Sequence, residues 1–301
     1  MLPSYSLLRQ RLDAIIANKM QQGYDVAGLK TALDELPNNY EQLNAFAKKL
    51  NNLSYRSDWH HIEPEDLCDI WLACDLPTDQ QQAQWLTTLP DDINQRISTA
   101  FKSSLCGCIL GKPIEVNPTL KMLKDAGEKA GEWPITDYIS TKFLDNLENR
   151  HESWRETTRE NICYVASDDD INYTLIGMLI IEEYGINFTA NDVRKKWLEH
   201  LPVSMTFGPE RTLLAKSAMG AISEQDPSEL QLNEWVQTWN AGDEYCGALI
   251  RVDAYGYACP GNPKLAAKLA FKDASFTHRK TGVYSSMYIA AAIALAPVVK
   301  E

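Results

Sequence analysis

The sequence predicts an all-α fold, and three kinds of pattern carry that prediction. Apolar residues recur at three- and four-residue spacing, as in Leu8, Leu12 and Ile15, which places them on one face of a helix. Alternation of Val and Ile with polar residues, the pattern of half-buried strands, is missing. Residues that cap and break helices stand between the periodic segments. Together they predict a single multi-helical core preceded by a helical N-terminal region.

The predicted N-terminal region covers residues 1–90. Its second periodic segment contains the apolar positions Leu43, Phe46, Ala47 and Leu50. Prolines that punctuate the region are Pro37, Pro64, Pro77 and Pro90. Because proline removes a backbone donor and disfavours helix in the residue before it, each one marks a break between helices. We therefore expect the core to occupy residues 91–301.

Within the core, local signals place the helix ends. A helix is predicted to start at or just after Asp169 and to stop at Gly185, since glycine readily adopts the left-handed conformation after a helix. Thr189 with Asp192 three residues later resembles a capping box at the start of the next helix.

Two further helices are predicted near the C-terminal end of the sequence. Pro263 stands where the first residue of a helix tolerates proline, directly after Asn262. The Ala-rich segment from Val283 to Leu295 predicts a last helix that packs closely against its neighbours.

Composition excludes some classes of function. The 301 residues carry 29 Lys+Arg against 41 Asp+Glu, a net charge of −12. A broad nucleic-acid surface needs a basic face, so we expect none. The most apolar run, Met287 to Val299, is interrupted by Pro297 and falls short of the roughly 20 residues of a membrane helix. No membrane partner is expected.

Cysteine usage and the N-terminus indicate a compartment. The seven cysteines show no CxxC spacing, which favours reduced, mostly buried thiols over a disulfide framework. The first residues, MLPSYSLLRQRLD, lack the apolar segment of a secretory leader. A cytoplasmic protein is expected.

Three consecutive aspartates, Asp168, Asp169 and Asp170, precede an apolar helical segment. Negative charge at a helix N-terminus suits the helix dipole, so capping is one interpretation. Metal binding is the other, because hard divalent cations need several converging carboxylate oxygens. Successive helical residues fan out by about 100°, which lets adjacent carboxylates surround an ion. The pattern leaves both interpretations open.

The segment GCILGKPIE invites comparison with a phosphate-binding loop, but Pro113 stands where Ser or Thr must hold Mg²⁺. Close helix packing at the two glycines and a functional Glu115 remain as alternatives. His60 and His61 are interpreted as surface residues. His278 is either a structural histidine or a ligand-contacting one.

Three blocks in this order resemble the ADP-ribosylglycohydrolase family: GCILGKPIE, SDDDINYTLIGMLIIEEYG, and the segment that begins CGALIRVD and runs through DASFTHRKTG. The resemblance covers residues 95 to 300. It implies an all-α protein that cleaves an N- or O-glycosidic bond to ADP-ribose with two Mg²⁺ or Mn²⁺ ions. The acceptor from which ADP-ribose is removed stays open.

The resemblance also implies roles for particular residues. The family's Thr-Asp-Asp metal motif falls on Asp168, Asp169 and Asp170, with Asp in place of Thr at 168. Its Gly-x-Pro-x-Glu segment ends on Glu115, a pocket carboxylate. Glu115 and Asp169 are therefore the expected catalytic residues.

Substrate contacts are implied further along the chain. The family's Asn-Gly-Ala segment, which cradles the diphosphate through its backbone, falls on Cys246, Gly247 and Ala248. Cys246 replaces the usual Asn. His278 matches a histidine of the substrate pocket. We expect these residues to converge with Glu115 and the aspartates around one cleft.

One departure from the family pattern is large. The family closes its metal site with a later Asp-x-Asp motif, whereas no aspartate follows His278 in this sequence. Three explanations are open: a C-terminally incomplete core, a member that has lost full metal binding, or a second chain that completes the site. We expect one ion rather than two, and low turnover. The alternative function is an inactive member or fragment that binds ADP-ribose or a protein partner.

Overall fold

A computed structural model describes residues 3–76, 78–87, 89–220 and 226–299 of the chain. In these ranges the regular elements are all helices, and the β-type pairing found there is an isolated bridge between Tyr24 and Tyr55. The all-α prediction is confirmed. Pro77, one of the predicted breaks, lies outside the described residues.

The α-helices are α1 (Tyr5–Gln21), α2 (Leu29–Glu35), α3 (Tyr40–Lys49), α4 (Leu67–Ala73), α5 (Asp79–Thr87), α6 (Ile93–Gly111), α7 (Leu120–Ala130), α8 (Thr141–Leu144), α9 (Trp154–Thr157), α10 (Asp169–Tyr184), α11 (Ala190–His200), α12 (Gly208–Gly220), α13 (Glu229–Trp239), α14 (Asp253–Tyr257), α15 (Pro263–Ala274) and α16 (Lys280–Leu295). Short 3₁₀ turns lie at Leu50–Asn52, Lys112–Ile114, Gly185–Asn187, Val203–Met205 and Cys246–Arg251.

The chain forms two compact units. One, the split unit, combines Met1–Leu89 with Thr174–Glu301; the other, the insert unit, is Pro90–Tyr173. The predicted division at residue 90 into an N-terminal region and a core stays a prediction.

The split unit has an apolar core shared by its two chain segments. Helices α1, α2 and α3 bury ten apolar side chains together with the turn that follows, and Trp239 and Ala241 pack against them. A second cluster joins Ile70 of α4 to residues of α15 and α16, which pack along each other. The N-terminal helices therefore share a core with the C-terminal segment.

The insert unit has its own core. Ala126 and Ala130 of α7 pack with Phe143 and Leu144 of α8 and with Ile139. Gly127 has no room for a side chain, since a Cβ there would lie 2.9 Å from the Phe143 ring. This core supports the end of α6 and the turn after it, where Ile114 packs against the same cluster.

The predicted helix ends are largely where the local signals placed them. Helix α10 begins at Asp169, and Gly185 directly after it has φ +62. Thr189 and Asp192 form the capping box of α11. Asn262 caps α15 through a hydrogen bond from the Leu265 N–H. Helix α16 begins at Lys280, earlier than the predicted start at Val283.

The expectation of mostly buried thiols is wrong. Cys259 is buried and Cys108 is half-buried, whereas the other cysteines are exposed: Cys68, Cys74, Cys106, Cys163 and Cys246. Cysteine is usually buried because its side chain is weakly polar, but several of these occupy helix ends or turns, where the backbone faces solvent. All seven are free thiols.

No helix in the described part of the chain combines the length and the apolar character that crossing a bilayer requires.

Candidate active site

The aspartate cluster, comprising Asp168, Asp169 and Asp170 with Cys108, lies in the insert unit. Helix α6 ends at Gly111, and the Lys112–Ile114 turn continues it, so Cys108 and Lys112 lie one helical turn apart. Cys108 Sγ and carboxylate oxygens of Asp168 and Asp170 all lie within 4.8 Å of one another. The end of α6 and the start of α10 thus bring a thiol and carboxylates to one point.

Asp168 has two roles, one for each carboxylate oxygen. Its Oδ1 accepts a hydrogen bond from the Asp170 N–H (3.1 Å), and its carbonyl oxygen accepts one from the Asn172 N–H. Both contacts are those of a helix cap. Its Oδ2 lies 2.5 Å from Lys112 Nζ. Capping therefore accounts for the contact made by Oδ1, whereas Oδ2 makes an ionic contact with Lys112.

The Lys112–Asp168 contact is an ion pair whose angles do not meet those of a hydrogen bond. Among the described residues, the buried Oδ2 has no hydrogen-bond partner. Lys112 Nζ is also 2.7 Å from Glu115 Oε2. Burial alone would lower the pKa of Lys112, but the carboxylates of Asp168 and Glu115 raise it. Despite burial, the same ammonium lowers the pKa of Asp168.

Asp169 differs from its neighbour. Burial, a hydrogen bond with the Asp168 carboxylate and the charges of Asp168 and Asp170 raise the pKa of Asp169 to about 7. Lys112 acts in the opposite direction and does not outweigh them. Burial is the largest of these causes, and the neighbouring carboxylates add to it.

The donor set of the cluster fits a divalent cation. Carboxylate oxygens are the ligands of hard cations such as Mg²⁺ and Mn²⁺, and a cation would offset both the burial and the neighbouring charges that raise the pKa of Asp169. The thiol of Cys108 is a softer ligand, and burial followed by the charges of Asp168 and Asp170 raises its pKa. Ligation by Cys108 would require the loss of its proton.

Glu115 lies at the edge of this cluster. It caps the Lys112–Ile114 turn, and its side chain is 59% exposed. Lys112 Nζ contacts Glu115 and Asp168 at the same time. The structure therefore brings two of the predicted catalytic and metal residues together through a lysine that sequence reasoning did not single out.

Gly247 and Ala248, the predicted diphosphate-binding residues, lie in the split unit on the Cys246–Arg251 turn. Ala248 is fully buried. A Cβ at Gly247 would lie 2.0 Å from Glu210 Oε1, so a side chain there would displace the buried Glu210 carboxylate. Burial raises the pKa of Glu210, against the opposing charge of Arg251.

His278 is also in the split unit. It contributes to the lining of a cavity of about 240 Å³, and only 1% of its surface is exposed. Its Nδ1 is 2.7 Å from Thr277 Oγ1, while Nε2 has no hydrogen-bond partner within the described ranges. Burial and then the charge of Arg251 hold the pKa of His278 well below its usual value. Its Nε2 lies 3.5 Å from Glu210 Oε1.

Arg251 organises the buried polar groups behind this turn into the arginine network, which comprises Arg251, Glu210, Asp273, Tyr255 and Thr277. Its Nη1 donates to Glu210 Oε1 (3.2 Å), its Nη2 donates to Thr277 Oγ1 (2.8 Å), and its Nε donates to Asp273 Oδ1. The Tyr255 hydroxyl donates to Asp273 Oδ2 (2.7 Å). The network links helices α12, α14 and α15 to the Cys246–Arg251 turn.

A family model for ADP-ribosylglycohydrolases matches residues 89–301. The chain belongs to the ADP-ribosylglycohydrolase family. No curated protein and no solved structure matches it. The resemblance stated from three sequence blocks is confirmed. Membership supports a glycohydrolase-like function, and the family acts on ADP-ribosylated substrates.

The ADP-ribosylglycohydrolase assignment leaves the site residues as predictions. Glu115 and the three aspartates belong to the insert unit, whereas Gly247, Ala248 and His278 belong to the split unit. Their convergence on one cleft stays a prediction.

Sequence reasoning missed Cys108, Lys112 and the arginine network. The first two had a usable signal: Cys108, Lys112 and Glu115 follow four- and three-residue spacing, which puts them on one side of a helix end. Arg251 offered no such signal, because its partners Glu210 and Asp273 lie on other helices.

Proposed function

We propose that this chain is a metal-dependent hydrolase that cleaves an N- or O-glycosidic bond to ADP-ribose. The observation that supports the proposal most directly is the cluster of Cys108, Asp168 and Asp170 ligand atoms within 4.8 Å of one another, inside the segment that the family model matches. The proposed ligands are Asp168, Asp169 and Asp170, holding one Mg²⁺ or Mn²⁺ ion.

In this proposal Asp169 moves the proton. Asp169 is the first residue of α10, between Asp168 and Asp170, whose ligand atoms cluster with Cys108. Its carboxylate accepts a proton from the water that attacks the anomeric carbon. Glu115, exposed and held by Lys112, supplies a second carboxyl beside the scissile bond, where oxocarbenium character develops.

A divalent cation bound by the aspartates would act as a Lewis acid on ribose oxygens and lower the pKa of nearby water. Backbone N–H groups at Gly247 and Ala248 are proposed to hold the diphosphate, and His278 to contact the substrate. Free thiols throughout support a reducing compartment, so we propose a cytoplasmic location.

The metal part of the proposal is tested by thermal unfolding. Mn²⁺ and Mg²⁺ should raise the Tm of the 301-residue chain relative to chelator, since a ligand of the folded state stabilises it by mass action. Asp169→Ala should abolish the shift. Asp125→Ala is the matched control, an aspartate of the same unit paired with Lys121 on the surface of α7, and it should keep the shift. Equal Tm values for the wild-type protein with metal and with chelator would leave the aspartates as a helix cap only.

The catalytic part is tested by release of ADP-ribose from peptides ADP-ribosylated on arginine or serine. We expect slow release that requires a divalent cation and is lost in Asp169→Ala and reduced in Glu115→Gln. Release at the same rate in chelator would contradict a metal-dependent reaction.

A second candidate is an ADP-ribose-binding protein without turnover. The observation that favours it is Lys112, whose ammonium lies 2.5 Å from Asp168, where it neutralises one of the proposed metal ligands. A second chain could complete the site in either case. Saturable binding of ADP-ribose by calorimetry, with no release from any modified peptide, would favour this candidate.

A further inference from the structure

Lys112, directly after α6, forms a mostly buried ion pair with Asp168. Its side chain is 11% exposed and that of Asp168 is 4% exposed. Lys121 and Asp125 of α7 also lie 2.5 Å apart, but those side chains are 83% and 46% exposed. Solvent screens exposed pairs strongly and buried pairs much less. The Lys112–Asp168 attraction is therefore the stronger of two pairs with the same separation.

Lys112 also contacts a second carboxylate, that of Glu115, which is more exposed than that of Asp168. Glu115 Oε2 lies 2.7 Å from Lys112 Nζ, and the Glu115 side chain is 59% exposed. The ammonium thus bridges a buried oxygen and an exposed one. If Asp168 were taken by another cation, Lys112 would still have the carboxylate of Glu115 as a partner near solvent.

Asp168 Oδ2 is shared between two possible cation contacts. It is buried, it has no hydrogen-bond partner in the described parts of the chain, and Asp168 belongs to the group of Cys108, Asp168 and Asp170 whose ligand atoms cluster. An ammonium 2.5 Å from this oxygen and a divalent ion bound to the same oxygen would repel each other strongly, because both are cations at short range.

We propose that the Lys112 ammonium is a resident counter-cation of the aspartate cluster, and that a divalent cation binds Asp168 only by displacing it toward Glu115. This inference rests on the proposed metal role of the aspartates. In addition, the Lys112 ammonium competes with the metal ion, which weakens metal binding. When no metal is bound, the ammonium offsets the repulsion between the carboxylates.

The test is a Mn²⁺ titration of the full chain, with free Mn²⁺ measured by its electron paramagnetic resonance signal. Lys112→Met removes the competing charge and keeps an unbranched side chain of similar length. We expect its Mn²⁺ affinity to rise at least about tenfold, which corresponds to about 1.4 kcal/mol. Lys121→Met removes the same charge from an exposed pair of the same unit and should change the affinity by less than about twofold.

A second variant changes the affinity in the opposite direction. Glu115→Gln removes the carboxylate that would receive the displaced ammonium, so Mn²⁺ affinity should fall several-fold. Glu128→Gln is its control, because Glu128 pairs with Lys124 on the exposed face of α7 and should leave the affinity unchanged. Glu115 is mostly exposed, so this variant tests the inference even if Lys112→Met fails to fold.

The outcomes separate this inference from the proposed function. Unchanged Mn²⁺ affinity in Glu115→Gln, or in a folded Lys112→Met, with Mn²⁺ still bound by the wild-type protein, overturns the role of Lys112 and leaves the metal site standing. Binding by Lys112→Met but not by the wild-type protein is the strongest support. If neither binds Mn²⁺ at millimolar concentration, both the displacement and the proposed metal site are wrong.

Discussion

The aspartate cluster and the arginine network both gather carboxylates, but they balance charge in different ways. In the network, one fully buried guanidinium donates hydrogen bonds to Glu210 and Asp273. In the cluster, an ammonium pairs with Asp168, and the pKa of the adjacent Asp169 is still raised to about 7. In the network both carboxylates receive directed hydrogen bonds from one guanidinium, although burial still raises the pKa of Glu210, whereas in the cluster the ammonium contacts Asp168 and does not outweigh the burial of Asp169.

The difference separates a structural site from the one that we propose to bind a cation. Buried charges are tolerated when counter-charges and hydrogen bonds offset their desolvation, which the network achieves with groups from several helices. The cluster lies at a helix start, where the dipole contributes only about 0.3–1 kcal/mol per charge. Partly buried carboxylates at such a place would be stabilised further by a bound cation.

The largest expected effect on stability comes from a substitution that disrupts the arginine network. Arg251→Met should lower the free energy of unfolding by about 3–5 kcal/mol, because it leaves two buried carboxylates without their counter-charge. Urea denaturation measures the loss. Arg211→Met removes an arginine that stacks on the exposed ring of Phe207 and should cost less than about 1 kcal/mol. A similar loss in both variants would show that the network is not specially dependent on Arg251.

The next effect tests a single hydrogen bond of the network. Tyr255→Phe removes the buried hydroxyl that donates to Asp273 Oδ2 at 2.7 Å and should cost about 2 kcal/mol, the range for a hydrogen bond to a charged group. Tyr257→Phe, on the same helix, removes a longer bond of 3.2 Å to Asp253 and should cost less. The idea that the network holds its carboxylates through directed bonds fails if Tyr257→Phe costs as much as Tyr255→Phe.

The smallest effect concerns the cluster and has the opposite sign. The pKa of Asp169 in the folded protein, about 7, lies above its value of about 3.9 in an unfolded chain. Between these values the folded state binds more protons, so the free energy of unfolding falls as pH rises from about 4 to about 7. Asp169→Asn should remove this slope and stabilise the metal-free protein at pH 8 by about 1 kcal/mol, after discounting for its partial exposure.

Denaturation between pH 5 and pH 8, in buffer free of divalent cations, measures this slope. Asp125→Asn, on the exposed face of α7, should keep the pH dependence of the wild-type protein. An Asp169→Asn variant with the wild-type slope would mean that the pH dependence of stability comes from another titratable group.

Local sequence signals located the ends of several helices. The start of α10 at Asp169, the left-handed Gly185 after it and the capping box of Thr189 with Asp192 each depend on residues within one turn of each other. Such signals act through backbone hydrogen bonds that neighbours supply. The sequence therefore also located the aspartates at a helix start, where their backbone geometry follows from capping.

Contacts between distant parts of the chain could not be predicted from these local signals. Three findings depend on how helices from distant parts of the chain pack. They are the contact of Asp168 with Lys112, the approach of the Glu210 carboxylate to Gly247, and the exposure of five of the seven cysteines. By itself the sequence determined the all-α class, the family and the acidic segment, because short-range periodicity and motif order carry them. Only the tertiary structure decided which charges are paired, since pairing energy depends on distance and burial, and neither is set by spacing along the chain.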